Sequence, residues 1–344
     1  MSLLASIDIG WGWTLTIKTV VVLAFIPFSA LLLGYVFLLK MMSHMQSRLG
    51  PMEAGPHGTL QLVADGLKFA QKEDIFPDGA DRKVFAWAPF VVVLSTFLMF
   101  VVIPAGPQLQ VYDLSIGVFY ALAVSSISVI GVLMAGWASN NKYALIGALR
   151  AAGQLIAYEL PLLLGVIGVV IQAGSMKLGD IVSAQYHGKI FGFGGIGLPF
   201  ILTQFVGFAL FMIAAQAELN QTPFDMPVAE SELVAGYMVE YTGFRFLFFF
   251  IGEFGTAFAY ATLAATLFLG GWTIPFISMS ADVMKIAGPV VLLTKTMLVA
   301  FLIFWARFTY PRFREDQLQR IAWKYLIPIG LANLLITAAL KVAF

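Results

Sequence analysis

Windows of about twenty predominantly apolar residues recur along this 344-residue chain, at Ile17 to Leu39, Val84 to Pro104, Ser115 to Gly136, Leu149 to Gln172, Gly197 to Gln216, Phe244 to Leu267, Met284 to Phe304 and Tyr325 to Leu340. At a rise of about 1.5 Å per residue, each window as a helix matches the roughly 30 Å hydrocarbon core of a bilayer. Lipid offers the backbone no hydrogen-bond partner, so such windows satisfy themselves as α-helices. The pattern predicts an all-α polytopic membrane protein with about eight transmembrane helices. Charge agrees: 11% of residues are Asp, Glu, Lys or Arg, against about 25% in soluble domains. The first sixteen residues hold no Lys or Arg, unlike the basic start of a secretory signal, so the first window is expected to remain as a membrane helix. Without an evident repeat, residues 1–344 read as one membrane domain.

Lys and Arg divide unevenly between the loops. One side carries Lys40, Arg48, Lys68, Lys72, Arg82, Lys83, Lys142, Arg150, Arg245, Arg307, Arg312, Arg314, Arg320 and Lys324; the other has only Lys18, Lys177, Lys189, Lys285 and Lys341. The positive-inside rule makes the crowded side cytoplasmic and puts both termini opposite it. Between the first two windows, about 58–73, Leu60, Val63, Leu67 and Ala70 recur at helical spacing, with Asp65, Lys68 and Lys72 elsewhere on the wheel. This predicts an amphipathic helix lying in the interface, after turns at Gly50-Pro51 and Gly55-Pro56.

The residue classes that are absent narrow the chemistry. With no cysteine the chain has no disulfide, cysteine-ligated cluster or thiol nucleophile, so iron-sulfur clusters are expected only in partners. A net charge of +1 gives no basic patch for nucleic acid. His44, His57 and His187 lack metal-ligand spacing, so no metal site is expected. The GGIG at Gly194 to Gly197 lacks the strand-then-helix setting of a nucleotide loop.

What remains is carboxylates in apolar surroundings. Residues 217–243 gather Glu218, Asp225, Glu230, Glu232 and Glu240 after the fifth window. Thr222-Pro223 ends that span, since Pro cannot continue the hydrogen-bond ladder. If Glu230 to Tyr241 is helical, Glu232, Gly236 and Glu240 share a face and Glu230 points away from it. Carboxylates gathered in a partly dry site cannot all ionise and share protons, as a proton relay requires; a solvated acidic loop is the plain alternative. Glu253 lies roughly 14 Å into the sixth span by helical rise, where it serves either as a relay or as the partner of a buried lysine such as Lys295. Glu159 sits in the fourth span beside Pro161, which frees a carbonyl and argues for local polarity. Lys295, a cation inside a span, fits pairing and relay equally. A second cluster, residues 305–324, combines Arg307, Arg312 and Arg314 with Tyr310 and Phe313, suited to carboxylates or lipid headgroups as well as to ordinary positive-inside charge.

Three segments together, HMQSRLGPMEAGPHGTLQLVADGLKFAQKE from His44, AELNQTPFDMPVAESELVAGYMVEY from Ala217 and ARFTYPRFREDQLQRIAWK from Ala306, resemble the H-subunit family of bacterial NADH-quinone oxidoreductase, respiratory complex I. The order and spacing match across most of the chain. The resemblance implies an eight-helix subunit between the hydrophilic and membrane arms, where it forms much of a quinone-access chamber. Glu159, Glu218, Asp225, Glu230, Glu232, Glu240 and Glu253 fall on acidic family positions that begin a polar path, to which Lys295 is added from its place in the span. Arg48, Asp65 and Lys68 match the chamber entrance, and Arg307, Arg312, Arg314 and Asp316 match the PRFR segment. Two positions depart: Val228 stands where many relatives have a carboxylate, and Leu38 and Leu39 stand where many have an acidic-basic pair.

Read through the resemblance, the chain is an enzyme subunit without a complete active site of its own, with quinone as substrate and nothing bound covalently. Flavin and iron-sulfur clusters belong to partners. Those partners are iron-sulfur and hydrogenase-like quinone-site subunits on the cytoplasmic side, and small and antiporter-like subunits in the bacterial inner membrane. The rivals are the anchor of a membrane-bound hydrogenase or related dehydrogenase, a free-standing ion transporter, and a structural anchor with inert carboxylates.

Overall fold

In the computed structural model the described residues are 11–107, 109–187, 198–275 and 280–343, with side chains for all of these except residues 11, 12, 230, 231 and 281. Lys189 and the Gly194 to Gly197 segment lie outside the described residues. Helix α1 (Trp11–Leu33) widens into a π-helical stretch (Gly34–Met41) and ends with Met42–Met45. Then come α2 (Gln61–Gln71), α3 (Arg82–Val102), α4 (Gly117–Ser125), α5 (Ile127–Ala138), α6 (Lys142–Ala173), α7 (Leu178–His187) and α8 (Phe205–Glu218). The chain closes with α9 (Glu230–Leu233), α10 (Gly243–Phe268), α11 (Ala281–Thr309), α12 (Glu315–Arg320), a π-helical stretch (Ile321–Leu326) and α13 (Ile327–Ala343). Among the described residues seven helices are long and apolar enough to cross a membrane, and Phe205–Glu218 is a shorter apolar one.

Local chemistry sets the ends. The Asp81 carboxylate accepts from the Lys83 and Val84 amides and starts α3, while Asn141 accepts from the Tyr143 amide and starts α6; both satisfy donors that a helix start leaves unpaired. Gly174, with φ +72°, closes α6. The third span runs over Gly117–Ala138 as its apolar window predicts, with an interruption in the hydrogen-bond ladder at Ser126, whose backbone stays helical. The fifth begins only at Phe205, because residues 199–203 form turns whose Ile201 amide bonds the Phe268 carbonyl. The interfacial helix is confined to Gln61–Gln71.

Helix α10 is the hub. Phe254, Tyr260, Leu263 and Phe268 are fully buried in the main core with residues of α1, α3, α6, α8 and α11, whereas α13 is largely exposed at the periphery. Helix α6, with 32 residues, is about 48 Å long and outruns the hydrocarbon by several turns. Its overhang lies on the lysine- and arginine-rich side. There a second apolar cluster forms from Phe85, Ala88, Val132, Ala148, Ala151, Tyr237, Tyr241 and Phe249, which roots the acidic segment into the bundle.

Candidate functional site

The acidic segment is not a solvated loop. Leu219, Gln221, Phe224, Met226, Ala229, Leu233, Tyr237 and Tyr241 are all buried. Tyr241 stacks on Phe85 with ring centroids 4.0 Å apart and donates its hydroxyl to the Phe85 carbonyl. Gln154 of α6 donates to the Ala217 carbonyl and to Asn220 Oδ1. Nor is Glu230 to Tyr241 one helix: α9 ends at Leu233, Val234 and Gly236 take positive φ, and a single 3-10 turn follows at Gly236–Met238. The reason is contact with α6. Gly236 lies against Pro227 O, and both meet the helix at Gly147, which has no Cβ. The expected shared face of Glu232 and Glu240 therefore does not form.

The carboxylates go separate ways instead. Glu232 takes Arg150 of α6 at 2.7 Å and Arg312 at 2.9 Å; Arg150 also reaches Glu315 at 3.7 Å. The Arg150 hydrogen bond and the Arg312 charge hold the Glu232 carboxyl below the usual carboxylate range, against partial desolvation. Two further bonds reinforce this clamp: the Phe313 amide donates to Pro223 O at 3.0 Å, and the Tyr158 hydroxyl donates to Leu318 O at 3.0 Å. Glu240 accepts from Asn141 at 2.6 Å, at the rim. Arg314 pairs with Asp316 at an exposed corner. Glu230 begins α9, and its side chain lies outside the description.

Deeper in, Glu253 faces Arg307 at 3.4 Å, and the two stay 29% and 26% exposed. Lys295 is not its partner. That ammonium donates to the Leu269 and Thr273 carbonyls, each at 2.5 Å, and so caps the far end of α10, well away from the acidic segment. Under the Glu253–Arg307 pair runs an aromatic strip, Phe37 stacked on Phe304 at 5.2 Å and Phe304 on Phe254 at 5.7 Å, with the Arg307 guanidinium 6.0 Å from the Phe254 ring. Gln221 lies beside the Glu253 carboxylate, yet neither polar atom of its buried amide completes a hydrogen bond of normal geometry. Tyr237 links the same centre to Asp225: burial, then the charges of Glu253 and Asp225, push its phenol above the usual range. Glu218, at the end of α8, has Glu159 as its charged neighbour, and Glu159 itself projects from the outer face of α6.

The amphipathic helix is strapped to α10. Arg245 pairs with Asp74 and covers the Phe76 ring at 4.1 Å, Thr242 Oγ1 accepts from the Ile75 amide and donates to Glu73 O, and Phe69 meets Phe246. On the α1 side Lys40 donates to Pro51 O at 2.8 Å, and Leu62 seats against Gly34. Arg48 and Lys68 are exposed, whereas Asp65 is half-buried and accepts from Gln61. The α1 end, α2 and the start of α10 are thereby held against one another.

The profile of the family described as NADH dehydrogenase matches residues 17–338. The H subunit of the NADH-quinone oxidoreductase of Brevibacillus brevis is 47% identical over 333 residues, covering 95% of this chain and 94% of that protein. The H subunits of the same enzyme from Anoxybacillus flavithermus and Bacillus thuringiensis are each 47% identical over 307 residues, 89% of this chain and 87% of theirs. The chain belongs to the NADH dehydrogenase family. It is a multi-pass membrane subunit of NADH-quinone oxidoreductase, and its partners include the other subunits of that complex.

Of the residues singled out in the sequence, the fold brings Asp225, Glu253 and Arg307 to one centre, Glu218 and Glu159 to another, and Glu232 and Arg312 into a clamp. Lys295, Arg314, Asp316, Arg48 and Lys68 lie apart from these. Sequence reasoning passed over Gln221, Tyr237, Asn141, Tyr241 and the Asp74–Arg245 tie. The signal for Tyr237 and Tyr241 was two aromatic rings inside an acidic stretch, not helical spacing, because the segment is not one helix.

Proposed function

We propose that this subunit walls the passage by which quinone reaches its reduction site and that its carboxylates begin the path along which protons move when quinone is reduced. The observation that carries the reading is the Glu253–Arg307 pair at the end of the Phe37, Phe304 and Phe254 strip, beside an unpaired Gln221 amide. A flat apolar ring slides along aromatic walls, and the polar end of the strip is suited to its carbonyl oxygens. Quinone enters from the bilayer between α1, α2 and the start of α10, and takes electrons from the iron-sulfur cluster of a partner. Quinol formation takes up protons along with electrons, so the nearby carboxylates change charge. Asp225, Tyr237 and Glu253 answer first, followed by Glu218 and Glu159. A carboxylate facing lipid costs several kcal/mol, so the outward Glu159 supports a contact with a membrane partner, an antiporter-like or small subunit. The arginine-rich side faces the cytoplasm of a bacterial cell, where the hydrophilic arm docks, and both termini lie across the inner membrane.

Glu253→Gln tests this. With assembly verified, quinone reduction and proton translocation are expected to fall together, by about tenfold or more if the group transfers protons in the rate-limiting sequence. Wild-type values for both remove Glu253 from the path.

A further inference from the structure

Between the Glu253 centre and the Glu218–Glu159 pair, α10 places one more ionisable side chain. Tyr260 follows Glu253 by seven residues, on nearly the same helix face and roughly 10 Å further along the axis. It is the only tyrosine in a helix whose other rings are all phenylalanine. It is 1% exposed and meets the edge of Phe211 on α8 at 6.2 Å. An apolar slot of this kind is filled equally well by phenylalanine.

The hydroxyl is what distinguishes the site. Two other buried phenols are moored to backbone, Tyr158 on Leu318 O at 3.0 Å and Tyr241 on Phe85 O at 3.1 Å. Tyr260 Oη completes no hydrogen bond of normal geometry. Its polar neighbours are Ser125, Glu218 and Glu159. Ser125 has already committed its proton to Leu122 O at 2.6 Å. That serine stands at the break between α4 and α5, where Ser95 Oγ also turns toward the Val124 and Ser125 carbonyls. A serine hydroxyl and a carboxylate thus stand beside an unsatisfied donor deep in the bundle, which is the setting in which a buried water is held.

We propose that the Tyr260 hydroxyl is a proton-transfer group joining Glu253 to the Glu218–Glu159 pair through intervening water. This deepens the preceding reading and rests on it. A proton reaching Oη from the Glu253 side displaces the phenol's own proton toward Glu218. The phenol is neutral before and after, no electrons move, and no other reactant is consumed. Glu218 on α8 and Glu159 on α6 are the charged groups that bear on it, and Ser125 faces it from α4 without charge; Glu253 stands about two turns earlier on its own helix.

The test uses the assembled complex in sealed membrane vesicles, reading NADH-driven quinone reduction and protons moved per electron pair. Tyr260→Phe keeps the ring and deletes the oxygen; coupled turnover is expected to fall about tenfold or more, as for loss of a positioned acid-base group, with a lower proton ratio. A fluorinated tyrosine at 260 keeps the shape and makes the hydroxyl more acidic. The alkaline limb of the coupled rate then moves to lower pH, a change that a packing role does not produce. Normal turnover and ratio in Tyr260→Phe, while Glu218→Gln stops pumping, overturn the role of Tyr260 and leave the carboxylate path intact. Normal behaviour in Tyr260→Phe, Glu218→Gln and Glu253→Gln alike overturns the path itself. If Tyr260→Phe does not assemble, an unshifted profile with the fluorinated residue is the overturning result.

Discussion

Gly147→Ala isolates the contact that holds the acidic segment against α6. A Cβ built at Gly147 meets Gly236 Cα and Pro227 O at 2.8 Å and Tyr237 N at 2.9 Å, all backbone atoms of the acidic segment. Separations below 3.0 Å are essentially never seen for real Cβ atoms, and ordinary contact starts at 3.4 Å, so the segment must retreat by roughly 0.6 Å at a typical overpacking cost of about 1–3 kcal/mol. Helix α6 itself gains up to ~1 kcal/mol when glycine becomes alanine. Net destabilisation therefore reports the overlap alone. Gly153 is the control on the same helix, because its Cβ meets only Gln319 Nε2, at 3.8 Å, and Gly153→Ala should stabilise by about 0.5–1 kcal/mol. In membranes holding the assembled complex, Gly147→Ala should expose residues 219–242 to protease, lower the temperature at which quinone reduction is lost, and slow that reduction by moving Tyr237 and Asp225 away from Glu253. If the two glycine variants behave alike in proteolysis and thermal inactivation, the acidic segment is not seated on α6 as described.

Glu232 makes the clamp sensitive to acid. Its folded pKa is depressed by Arg150 and Arg312, so the stability it contributes is fully present above the free-glutamate value of about 4.3 and is lost as pH falls through the lower folded value. Glu232→Gln should abolish that acidic limb in thermal inactivation while leaving neutral-pH quinone reduction nearly unchanged; an identical limb in both proteins contradicts the assignment. Lys295→Met should leave the Leu269 and Thr273 carbonyls without their donor, at about 1–3 kcal/mol for each group that stays buried and unpaired. The expected readout is a lower inactivation temperature with an unchanged proton ratio, and a changed ratio at unchanged stability returns Lys295 to the proton path.

The spans were legible because lipid imposes one solution on every long apolar window, and α10 fills residues 243–268 almost as its window predicts. The interruptions were less legible. At the interruption between α4 and α5, Ser125 and Ser126 turn their hydroxyls back to the Leu122 and Ala123 carbonyls, a local competition with the helix ladder, while the bond from Ser95 to Val124 O is a tertiary one that no local propensity encodes. The acidic segment was legible as a concentration of carboxylates but not as a shape. A four-residue spacing of Glu232, Gly236 and Glu240 fits a helix, and only the approach of Gly236 to Gly147, from 89 residues earlier in the chain, selects the broken form. The alternative that paired Glu253 with Lys295 falls for a similar reason. Both stand in apolar runs, but Lys295 caps the far end of α10 and Arg307 comes to Glu253 from the basic segment.

Two physical connections lead from Glu253 toward Glu159, and they respond to different forces. One is the protonic route proposed above, through Tyr260 and Glu218, which depends on water between groups that do not touch. The other candidate is mechanical: Arg307 lies in the last turn of α11, five residues later Arg312 grips Glu232, Glu232 grips Arg150, and Arg150 lies nine residues before Glu159 on the continuous helix α6. The Glu253–Arg307 pair, at 3.4 Å and partly open, is held loosely enough for a charge change beside it to alter its geometry, because an ion pair gains little where desolvation offsets attraction. The Glu232 clamp is short and doubled, so this second connection requires that a displacement of Arg307 cross the irregular residues 310–314 to reach α6. Glu232→Gln cuts the mechanical connection and spares the protonic one, whereas Tyr260→Phe does the reverse. Coupling that survives the first and fails in the second therefore assigns the transmission to protons, since the ion-pair chain is intact only in the variant that has lost it.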